Sequence, residues 1–480
     1  MTPDEYTSHD GIGLATAIKN KDFSADEVTK IAIKCLQNLN PSLNAVTLTN
    51  FDNAQQRSRE LFPDTPLAGV PFLLKDVNVY THDMPTTFSS RFFANAEPRK
   101  DSEIVTKIRN AGLVILGKTN TPEFAEDFVT EPTFRGTTYN PWTRNLTTGG
   151  SSGGAAAAVA AGIVPIAHGT DLGGSIRIPA ACCGVYGFKP TSGLSVVNQD
   201  HPELANGFNS DHVLTRSVRD SAAVLDVTAG HKPGYRYRTE GSVKSYLAQL
   251  DLPLRSLTIG VCLQTPGGLN VIPSQQDAVA KTAEALQLMG HNIVKYQYPE
   301  IPDMGIWNES LWMIEIAELI NNECDRLGRQ PQPDELEAMS HFLRKVVDSA
   351  SALDYYRART NVHRVSMKLM QSMSKIDVVL SPALAEEPLE VGTLDSRTDK
   401  FDFDEWLATG YRFAPFSTIC NITGQPAASL PVQLYSGQRP NSVQIAGHTG
   451  EDHIILQLSR ALESHFVWRS FQPPVWAGSL

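Results

Sequence analysis

The sequence lacks clustered basic side chains and long apolar runs, and each absence argues against a class of partner. Its 480 residues include 41 Lys and Arg against 52 Asp and Glu, a formal net charge of −11. Nucleic-acid binding needs clustered Lys and Arg to neutralise phosphates, so we expect no nucleic-acid partner. The longest apolar stretch, residues 155–167, is mostly alanine. It falls short of the roughly 20 residues that span a bilayer, so we expect no membrane segment.

Targeting signals and metal-binding spacings are also missing. The first residues, MTPDEYTSHDGIG, have neither the basic start nor the apolar centre of a secretory signal, which favours a cytoplasmic protein. The cysteines show no C-x-x-C and no metal-ligand spacing, so we expect no metal site and small buried side chains in a reducing compartment. They are Cys35, Cys182, Cys183, Cys262, Cys324 and Cys420.

Amphipathic segments alternate with short apolar runs along the chain, which predicts an α/β fold. Ser24 and Glu27 have the spacing of a capping box at the start of a helical periodicity. Runs such as VPFLLK and DVVLSP are typical of buried strands. No repeat or low-complexity linker divides the chain, so residues 1–480 are predicted to form one large domain with a mostly buried sheet. Residues 301–353 have a helical and irregular pattern, which indicates an insertion covering one face.

Residues 112–119, GLVILGKT, match the phosphate-binding pattern G-x-x-x-x-G-K-[S/T] letter for letter. A phosphate loop places its first glycine after a strand and has flexible residues between the two glycines. Here Gly112 ends an amphipathic helix, and Leu113 to Leu116 are themselves the apolar strand. We therefore interpret the match as a helix–strand junction and expect no nucleotide binding.

Two glycine-rich segments contain serines that are candidates for a catalytic site. Residues 149–153, GGSSG, match the nucleophile elbow G-x-S-x-G, but the preceding NPWTRNLTT is polar and cannot be its buried strand. The following AAAAVAAG predicts a helix, whose first N–H groups favour negative charge. In GTDLGGSIRIP, the N–H groups around Gly173 and Gly174 suit an oxyanion hole beside a nucleophilic Ser175. A tight turn is the alternative for either motif.

A serine nucleophile needs a base, and two residues are candidates. His168 precedes the GTD segment, although a hydrogen-bonded core histidine is the simpler interpretation. Lys75 interrupts the apolar run VPFLLKD, where burial would depress its pKa and favour the neutral amine. The alternative for Lys75 is an ion pair with Asp76 at a strand end.

Together these segments resemble the amidase signature family. The stretch from GGSSGGAAAAVAAG through GTDLGGSIRIP to GVYGFKPT is similar to the family's defining segment. AGVPFLLKD, AGLVILGKTNTPEF and NPWTRNLTT are similar to its flanking blocks, in the expected order, and VVLSPAL and CNITGQPAASLPV resemble weaker blocks. The resemblance is strongest over residues 60–225, the predicted catalytic core. It implies a mixed, twisted central sheet flanked by helices.

The resemblance also implies a Ser–cis-Ser–Lys triad that forms an acyl-enzyme without a metal or organic cofactor. Ser175 matches the nucleophile and Lys75 the terminal base. Ser151 matches the bridging serine, after a cis peptide from Gly150. The implied oxyanion donors are the backbone N–H groups of Leu172, Gly173, Gly174 and Ser175. The residues implied to support the site by hydrogen bonding are Ser152, Thr170, Asp171 and Arg177.

Substrate class is predicted from finer resemblances. Glutaminase subunits of a tRNA-dependent amidotransferase carry an aspartate where FAPFSTICNITGQP has Ala414, which argues against that role. The remaining pattern is similar to stand-alone bacterial amidases, which include hydrolases of aryl acylamides, nylon-type oligoamides and carbamates. We therefore predict a broad-specificity amidase for small apolar or aryl amides. Hydrolysis of carbamates or esters by the same triad is the alternative.

The predicted substrate pocket combines loops near the motif blocks with the helical region around Trp312. Its candidate residues are Met84, Phe88, Tyr139, Trp307, Trp312, Met313 and Ile314. Ordinary helix packing is the alternative for the last four. A non-catalytic scaffold is disfavoured because all three triad positions are present. We expect a monomer or homodimer.

Overall fold

Eleven strands form one hydrogen-bonded sheet in the computed structural model, which describes residues 1–196, 207–231, 233–235, 237–265, 267–301, 313–435 and 439–480. In chain order the strands are β1 (Val46–Thr49), β2 (Pro71–Lys75), β3 (Val114–Thr119), β4 (Ile166–Asp171), β5 (Tyr186–Lys189), β6 (Ser210–Thr215), β7 (Thr258–Val261), β8 (Asn292–Lys295), β9 (Val378–Pro382), β10 (Ala427–Tyr435) and β11 (Arg439–Ala446). Across the sheet their order is β1-β3-β2-β4-β6-β5-β10-β11-β9-β7-β8.

The sheet is mixed. Strand β2 pairs in parallel with β3 and β4, and β7 pairs in parallel with β8 and β9. Between these two groups, each strand is antiparallel to the next one in the sheet. The order there is β4, β6, β5, β10, β11 and β9. The predicted α/β fold class with a mixed sheet is confirmed. Strand β10, which begins with AASLPVQL, is antiparallel to both of its neighbours, so this part of the sheet is not built from β–α–β units.

Helices flank the sheet, and several begin where the sequence predicted. Ser24 accepts a hydrogen bond from the Glu27 N–H, and the Glu27 carboxylate accepts one from the Ser24 N–H, so the predicted capping box is confirmed. The described α-helices are α1 (Pro3–Ser8), α2 (Gly11–Lys19), α3 (Ala25–Leu43), α4 (Phe51–Arg57), α5 (Glu103–Asn110), α6 (Gly153–Ala160), α7 (Arg177–Cys183), α8 (Val218–Thr228), α9 (Tyr246–Gln249), α10 (Pro273–Leu288), α11 (Met313–Leu327), α12 (Ala338–Ser349), α13 (Ala352–Ser372), α14 (Phe403–Phe413), α15 (Ser417–Ile422) and α16 (Asp452–Phe466).

Parallel pairing of β2 and β4 brings the ends of the two strands, with Lys75 and Asp171, to the same edge of the sheet. Phe72 of β2 is in register with Ile166 of β4. The carboxyl ends of parallel neighbours meet at one edge of a sheet, which is where ligands bind in many α/β folds. Lys75 is the last residue of β2 and Asp171 the last of β4. The two predicted segments are therefore brought together by sheet register.

Small residues allow α6 to lie inside the protein. All eight residues of Gly153–Ala160 are buried. A Cβ atom added to Gly154 would lie 2.5 Å from the Ala45 carbonyl oxygen and 2.6 Å from the Asn120 nitrogen. A larger side chain would force these backbones apart. The Gly- and Ala-rich composition of this segment therefore has a packing cause.

The GLVILGKT segment is a strand and not a phosphate loop. Gly112 follows α5 with φ +86°, and the fully buried β3 covers Val114–Thr119. Lys118 is also buried, and its Nζ donates to Thr86 Oγ1 at 2.6 Å. The predicted helix–strand junction is confirmed.

All six cysteines are free and buried, as predicted. Within the predicted insertion, the structure describes α11 and α12, whereas Trp307 and Trp312 lie outside the described residues. Among the described residues, no helix combines the length and apolar character needed to cross a membrane.

Candidate active site

Lys75 is a fully buried lysine whose amine contacts two hydroxyl groups. Its Nζ lies 2.7 Å from Ser151 Oγ and 2.8 Å from Thr170 Oγ1. Burial lowers the pKa of Lys75 to about 7, although the negative charges of Asp211 and Asp171 oppose this shift. The amine is therefore largely neutral at mildly alkaline pH, and it lies within hydrogen-bond distance of a serine hydroxyl.

Asp76 has other partners, so the ion pair considered for Lys75 is wrong. The carboxylate of Asp76 accepts hydrogen bonds from the Thr87 N–H at 3.0 Å and from the Thr87 hydroxyl at 2.5 Å. Its nearest cation is Lys118, at 3.8 Å. Successive residues of a strand point to opposite faces, so Lys75 and Asp76 are directed to different neighbours.

His168 is a core residue, as predicted. It is buried, and its Nδ1 accepts a hydrogen bond from the Lys75 backbone N–H at 3.3 Å. Its Nε2 lies 3.1 Å from Asp211 Oδ1, so the proton resides on Nε2 and is donated to the carboxylate. His168 thus positions the backbone of Lys75 and lacks a free nitrogen for catalysis.

Ser151 lies in a closely packed part of the glycine loop. The Gly150–Ser151 peptide is cis, as the family resemblance implied, and Ser151 is 1% exposed. A Cβ on Gly150 would lie 2.6 Å from the Asp127 carbonyl oxygen, so only glycine fits there. The N–H of Ser152 donates to the Ser175 carbonyl at 3.1 Å, which ties the two serine loops together.

Ser175 is half-buried and lines the same cavity as Ser151 and Thr170. This cavity encloses about 930 Å³, part of which is open to solvent. Ser175 stands two residues before α7, at the end of the GTDLGGS loop. Ser151 and Ser175 therefore line one cavity, and the buried Lys75 contacts Ser151 from the protein interior.

The oxyanion donors differ from the prediction at one position. The Gly174 N–H donates to Asp171 Oδ1 at 2.9 Å, so it is occupied within the protein. The N–H groups of Leu172, Gly173 and Ser175 have no acceptor among the described residues. These three N–H groups therefore have no internal acceptor in the described part of the chain, whereas the Gly174 N–H holds the loop in shape.

Asp171 and Arg177 form a buried bidentate pair beneath the loop. Arg177 Nε donates to Oδ2 at 2.9 Å and Nη2 donates to Oδ1 at 2.8 Å. Burial opposes ionisation of Asp171, but Arg177 outweighs it and lowers the pKa of Asp171 to about 2. The guanidinium also donates to the Ser417 carbonyl at 2.7 Å. Arg177 therefore holds the Asp171 carboxylate and the Ser417 backbone together beneath the loop.

The cavity wall is aromatic and acidic. Phe88 lines it, but Met84, Tyr139 and Ile314 are not among its lining residues. Met84 packs in the hydrophobic core, and Tyr139 carries Arg144 over its ring at 3.7 Å. Sequence reasoning missed most of the other lining residues, among them Glu126, Asp127, Asn209, Glu315, Trp406 and Tyr411. Glu126 and Asp127 follow the TNTPEF block after one alanine, and this proximity to a family-like block is the signal that could have found them. No group of three or more His, Cys, Asp or Glu side chains in the described part of the chain could hold a metal ion.

Comparison with known proteins identifies the class that this fold and site define. The family model described as Amidase matches residues 27–456. A 6-aminohexanoate-cyclic-dimer hydrolase of Pseudomonas sp. (strain NK87) is 33% identical over 477 residues, covering 97% of this chain and 96% of the relative. The protein of the same name from Paenarthrobacter ureafaciens is 32% identical over 482 residues, with the same two coverages. The protein is an enzyme of the class that hydrolyses amide C–N bonds.

Solved structures agree with the sequence matches. The structure of 6-aminohexanoate cyclic dimer hydrolase complexed with substrate has a TM-score of 0.93 at 31% identity, covering 98% of this chain and 99% of that one. A bacterial aryl acylamidase has a TM-score of 0.86 at 25% identity, covering 96% of each chain. The chain belongs to the amidase signature family.

Proposed function

We propose that this enzyme hydrolyses small, mainly apolar or aryl carboxamides through an acyl-enzyme on Ser175, with Ser151 and Lys75 as the proton relay. The observation that carries the proposal is the 2.7 Å contact between Lys75 Nζ and Ser151 Oγ at a cavity that Ser175 also lines. A buried amine with a pKa of about 7 is a competent base near neutral pH. A serine hydroxyl needs such a base to become a nucleophile.

Acylation follows from this arrangement. Ser175 Oγ attacks the amide carbonyl carbon, and its proton passes to Ser151 Oγ while the Ser151 proton passes to Lys75 Nζ. The carbonyl oxygen becomes an oxyanion that accepts from the N–H groups of Leu172, Gly173 and Ser175. Each such donor contributes about 3 kcal/mol to transition-state stability. The C–N bond then breaks, and the relay returns a proton to the departing amine nitrogen.

Deacylation reverses the relay. Water gives one proton through Ser151 to neutral Lys75 and attacks the ester carbonyl of the acyl-enzyme. The C–O bond to Ser175 then breaks, and Ser175 Oγ recovers the proton. The products are the free acid and an enzyme in its starting protonation state, so one relay serves both half-reactions.

The cavity wall supports apolar substrates. Its aromatic side chains are those of Phe88, Phe124, Phe128, Trp406 and Tyr411. Aromatic walls favour acyl chains and rings because they bury apolar surface. Two similar proteins are named for a cyclic oligoamide and for aryl acylamides, which are substrates of this general kind.

A matched pair of chromogenic substrates tests the proposal. Wild type and Ser175→Ala are assayed on hexanoyl para-nitroanilide and on the corresponding aryl carbamate. We expect faster anilide turnover that falls at least about a thousandfold in the variant. Mass spectrometry of wild type treated with a sulfonyl fluoride should find the adduct on Ser175. Faster carbamate turnover would move the enzyme to the urethane-cleaving alternative, and full activity of Ser175→Ala would overturn the mechanism.

A further inference from the structure

The acidic and basic side chains that line the described part of the active-site cavity are all carboxylic acids. Of the described residues that line it, Glu126, Asp127 and Glu315 are ionisable as carboxylates, and none is a lysine, arginine or histidine. The rest of the wall is aromatic, aliphatic or neutral polar. Carboxyl groups without a basic side chain beside them at the wall favour a cationic ligand over an anionic one.

Glu126 differs from its neighbour in having a buried carboxyl oxygen that no described residue contacts by a hydrogen bond. Its side chain is 6% exposed, and the buried Oε2 has no hydrogen bond among the described residues. Asp127 is satisfied, because Ser396 Oγ donates to it at 2.5 Å and Trp406 Nε1 at 3.1 Å. A buried carboxyl group without a partner is costly, so its persistence at a cavity indicates a ligand that completes it.

The backbone before Glu126 is held in an unusual conformation. Phe124 and Ala125 have φ values of 50° and 64°, in the left-handed region that residues other than glycine rarely adopt. Both residues line the cavity. Non-glycine residues of this kind are concentrated at ligand sites, where surrounding structure enforces them. The turn therefore places Glu126 at the wall of the cavity.

The same segment abuts the catalytic loop. The carbonyl oxygen of Asp127 would lie 2.6 Å from a Cβ on Gly150, which directly precedes Ser151. Glu126 and the serine loop are therefore two parts of one cavity wall. Ser175 lines the same cavity as Glu126, so a substrate bound at Ser175 would share the cavity with this carboxyl group.

A second unsatisfied acceptor belongs to Asn209, which also lines the cavity. Its Nδ2 donates to Asp211 Oδ2 at 2.8 Å, and this fixes the amide with Oδ1 as the remaining group. That Oδ1 is buried without a partner among the described residues. The unpaired polar atoms of Glu126 and Asn209 are thus both potential acceptors, which favours a ligand rich in N–H donors.

We propose that Glu126 binds a protonated primary amine on the substrate, so that the preferred amides carry an ammonium group remote from the scissile bond. The inference rests on the proposed amidase function and names its substrate class. Burial raises the pKa of Glu126, and the negative charges of Asp127 and Glu123 raise it further. An arriving ammonium ion supplies the positive charge that this environment lacks and stabilises the ionised carboxylate.

Direct binding tests the inference without relying on turnover. The Ser175→Ala protein is titrated by calorimetry with para-nitroanilides of ω-aminobutanoic, ω-aminohexanoic and ω-aminooctanoic acids. Each is paired with the isostere in which a methyl group replaces the amine, namely pentanoyl, heptanoyl and nonanoyl. We expect the amine to bind at least about tenfold more tightly for the chain length that reaches Glu126, as for a hydrogen bond to a charged group.

The variants assign that preference to one side chain. Glu126→Gln in the Ser175→Ala background should reduce the tenfold preference to less than about twofold, whereas Glu126→Asp should retain part of it. Glu284→Gln removes one charge from the exposed face of α10 and should keep the full preference. Thermal melts of each variant establish that it is folded.

The two proposals fail in different ways. Equal affinity for the amine and its methyl isostere at every chain length, or a preference that survives Glu126→Gln, overturns the assignment of Glu126. Failure of wild type to hydrolyse any of the six anilides overturns the proposed amidase function and leaves the calorimetric result to decide the binding site by itself.

Discussion

Lys75 Nζ and Ser151 Oγ lie 2.7 Å apart in a region closed to bulk solvent. Burial alone would push the pKa of Lys75 below its value of about 7, because the negative charge of Asp211 acts in the opposite direction. Asp211 in turn accepts from His168 and Asn209. The base strength of Lys75 is thus set by a balance that a single substitution can alter.

Asp211→Asn should shift the pH–rate profile. In wild type, kcat/KM should rise as pH increases through about 7, because only neutral Lys75 accepts a proton. Removing the negative charge of Asp211 makes the charged amine less stable, which lowers the pKa of Lys75. The rising limb should therefore move to lower pH. An unchanged limb, equal to that of Glu284→Gln, would contradict Lys75 as the titrating base.

Gly173 and Gly174 offer a matched pair for the oxyanion loop. Gly174 has φ +131°, and a Cβ there would clash with the Ser417 side chain and lie 2.7 Å from Ile178 Cδ1. At Gly173 the nearest atom would be Thr418 Oγ1, at 3.7 Å. Gly174→Ala should lose at least about 2 kcal/mol of unfolding free energy in urea, and Gly173→Ala less than about 1 kcal/mol. Equal losses would contradict this account of the loop.

Arg177→Ala should be among the most destabilising single changes. It leaves the buried Asp171 carboxylate without its cation, a loss of about 3–5 kcal/mol in comparable buried pairs. Arg177→Lys keeps the charge but loses the bidentate geometry, so its stability should lie between those of wild type and Arg177→Ala. Arg357→Ala, which removes an exposed ion pair with Asp354, should leave the urea midpoint unchanged. A wild-type midpoint for Arg177→Ala would refute the role of the pair.

The segment GLVILGKT should bind no nucleotide. Lys118 Nζ is occupied by Thr86 and by the Val79 carbonyl at 3.2 Å, and β3 is buried along its whole length. ATP with magnesium should leave the melting temperature unchanged. Lys118→Ala should lower it, because Asp76 loses its nearest cation. A melting temperature that rises with ATP would return the phosphate-loop interpretation.

Local signals predicted much of the fold. The Ser24–Glu27 capping box, the β2 strand at VPFLLK and the junction at Gly112 each depend on a few adjacent residues. Such patterns are readable because capping, periodicity and turn chemistry act over one or two turns of chain. Lys75 could be recognised in the same way, as a charge inside an apolar run.

Partners chosen by tertiary structure could not be predicted. Asp76 lies adjacent to Lys75 in sequence but pairs with Lys118, because β2 and β3 lie side by side in the sheet. The Gly174 N–H belongs to a plausible oxyanion motif, yet the conformation of the loop directs it to Asp171. Glu126 is one acidic residue among many in the sequence, and only the folded structure shows that one of its oxygens is buried without a hydrogen bond among the described residues. In each case the decisive fact is which atoms fill the space around a group.

The base strength of Lys75 affects how a reaction mixture changes with time. Near neutral pH, cleavage of an alkyl amide yields a carboxylate and an ammonium ion, and acidity stays constant. Cleavage of an aryl amide yields a carboxylate and a weakly basic aryl amine, so each turnover releases a proton. In a weakly buffered medium those protons lower the pH, and because the pKa of Lys75 is about 7, the falling pH protonates the base and slows further turnover. Under the proposed mechanism the rate of aryl amide hydrolysis therefore falls as product forms, whereas hydrolysis of alkyl amides does not slow for this reason.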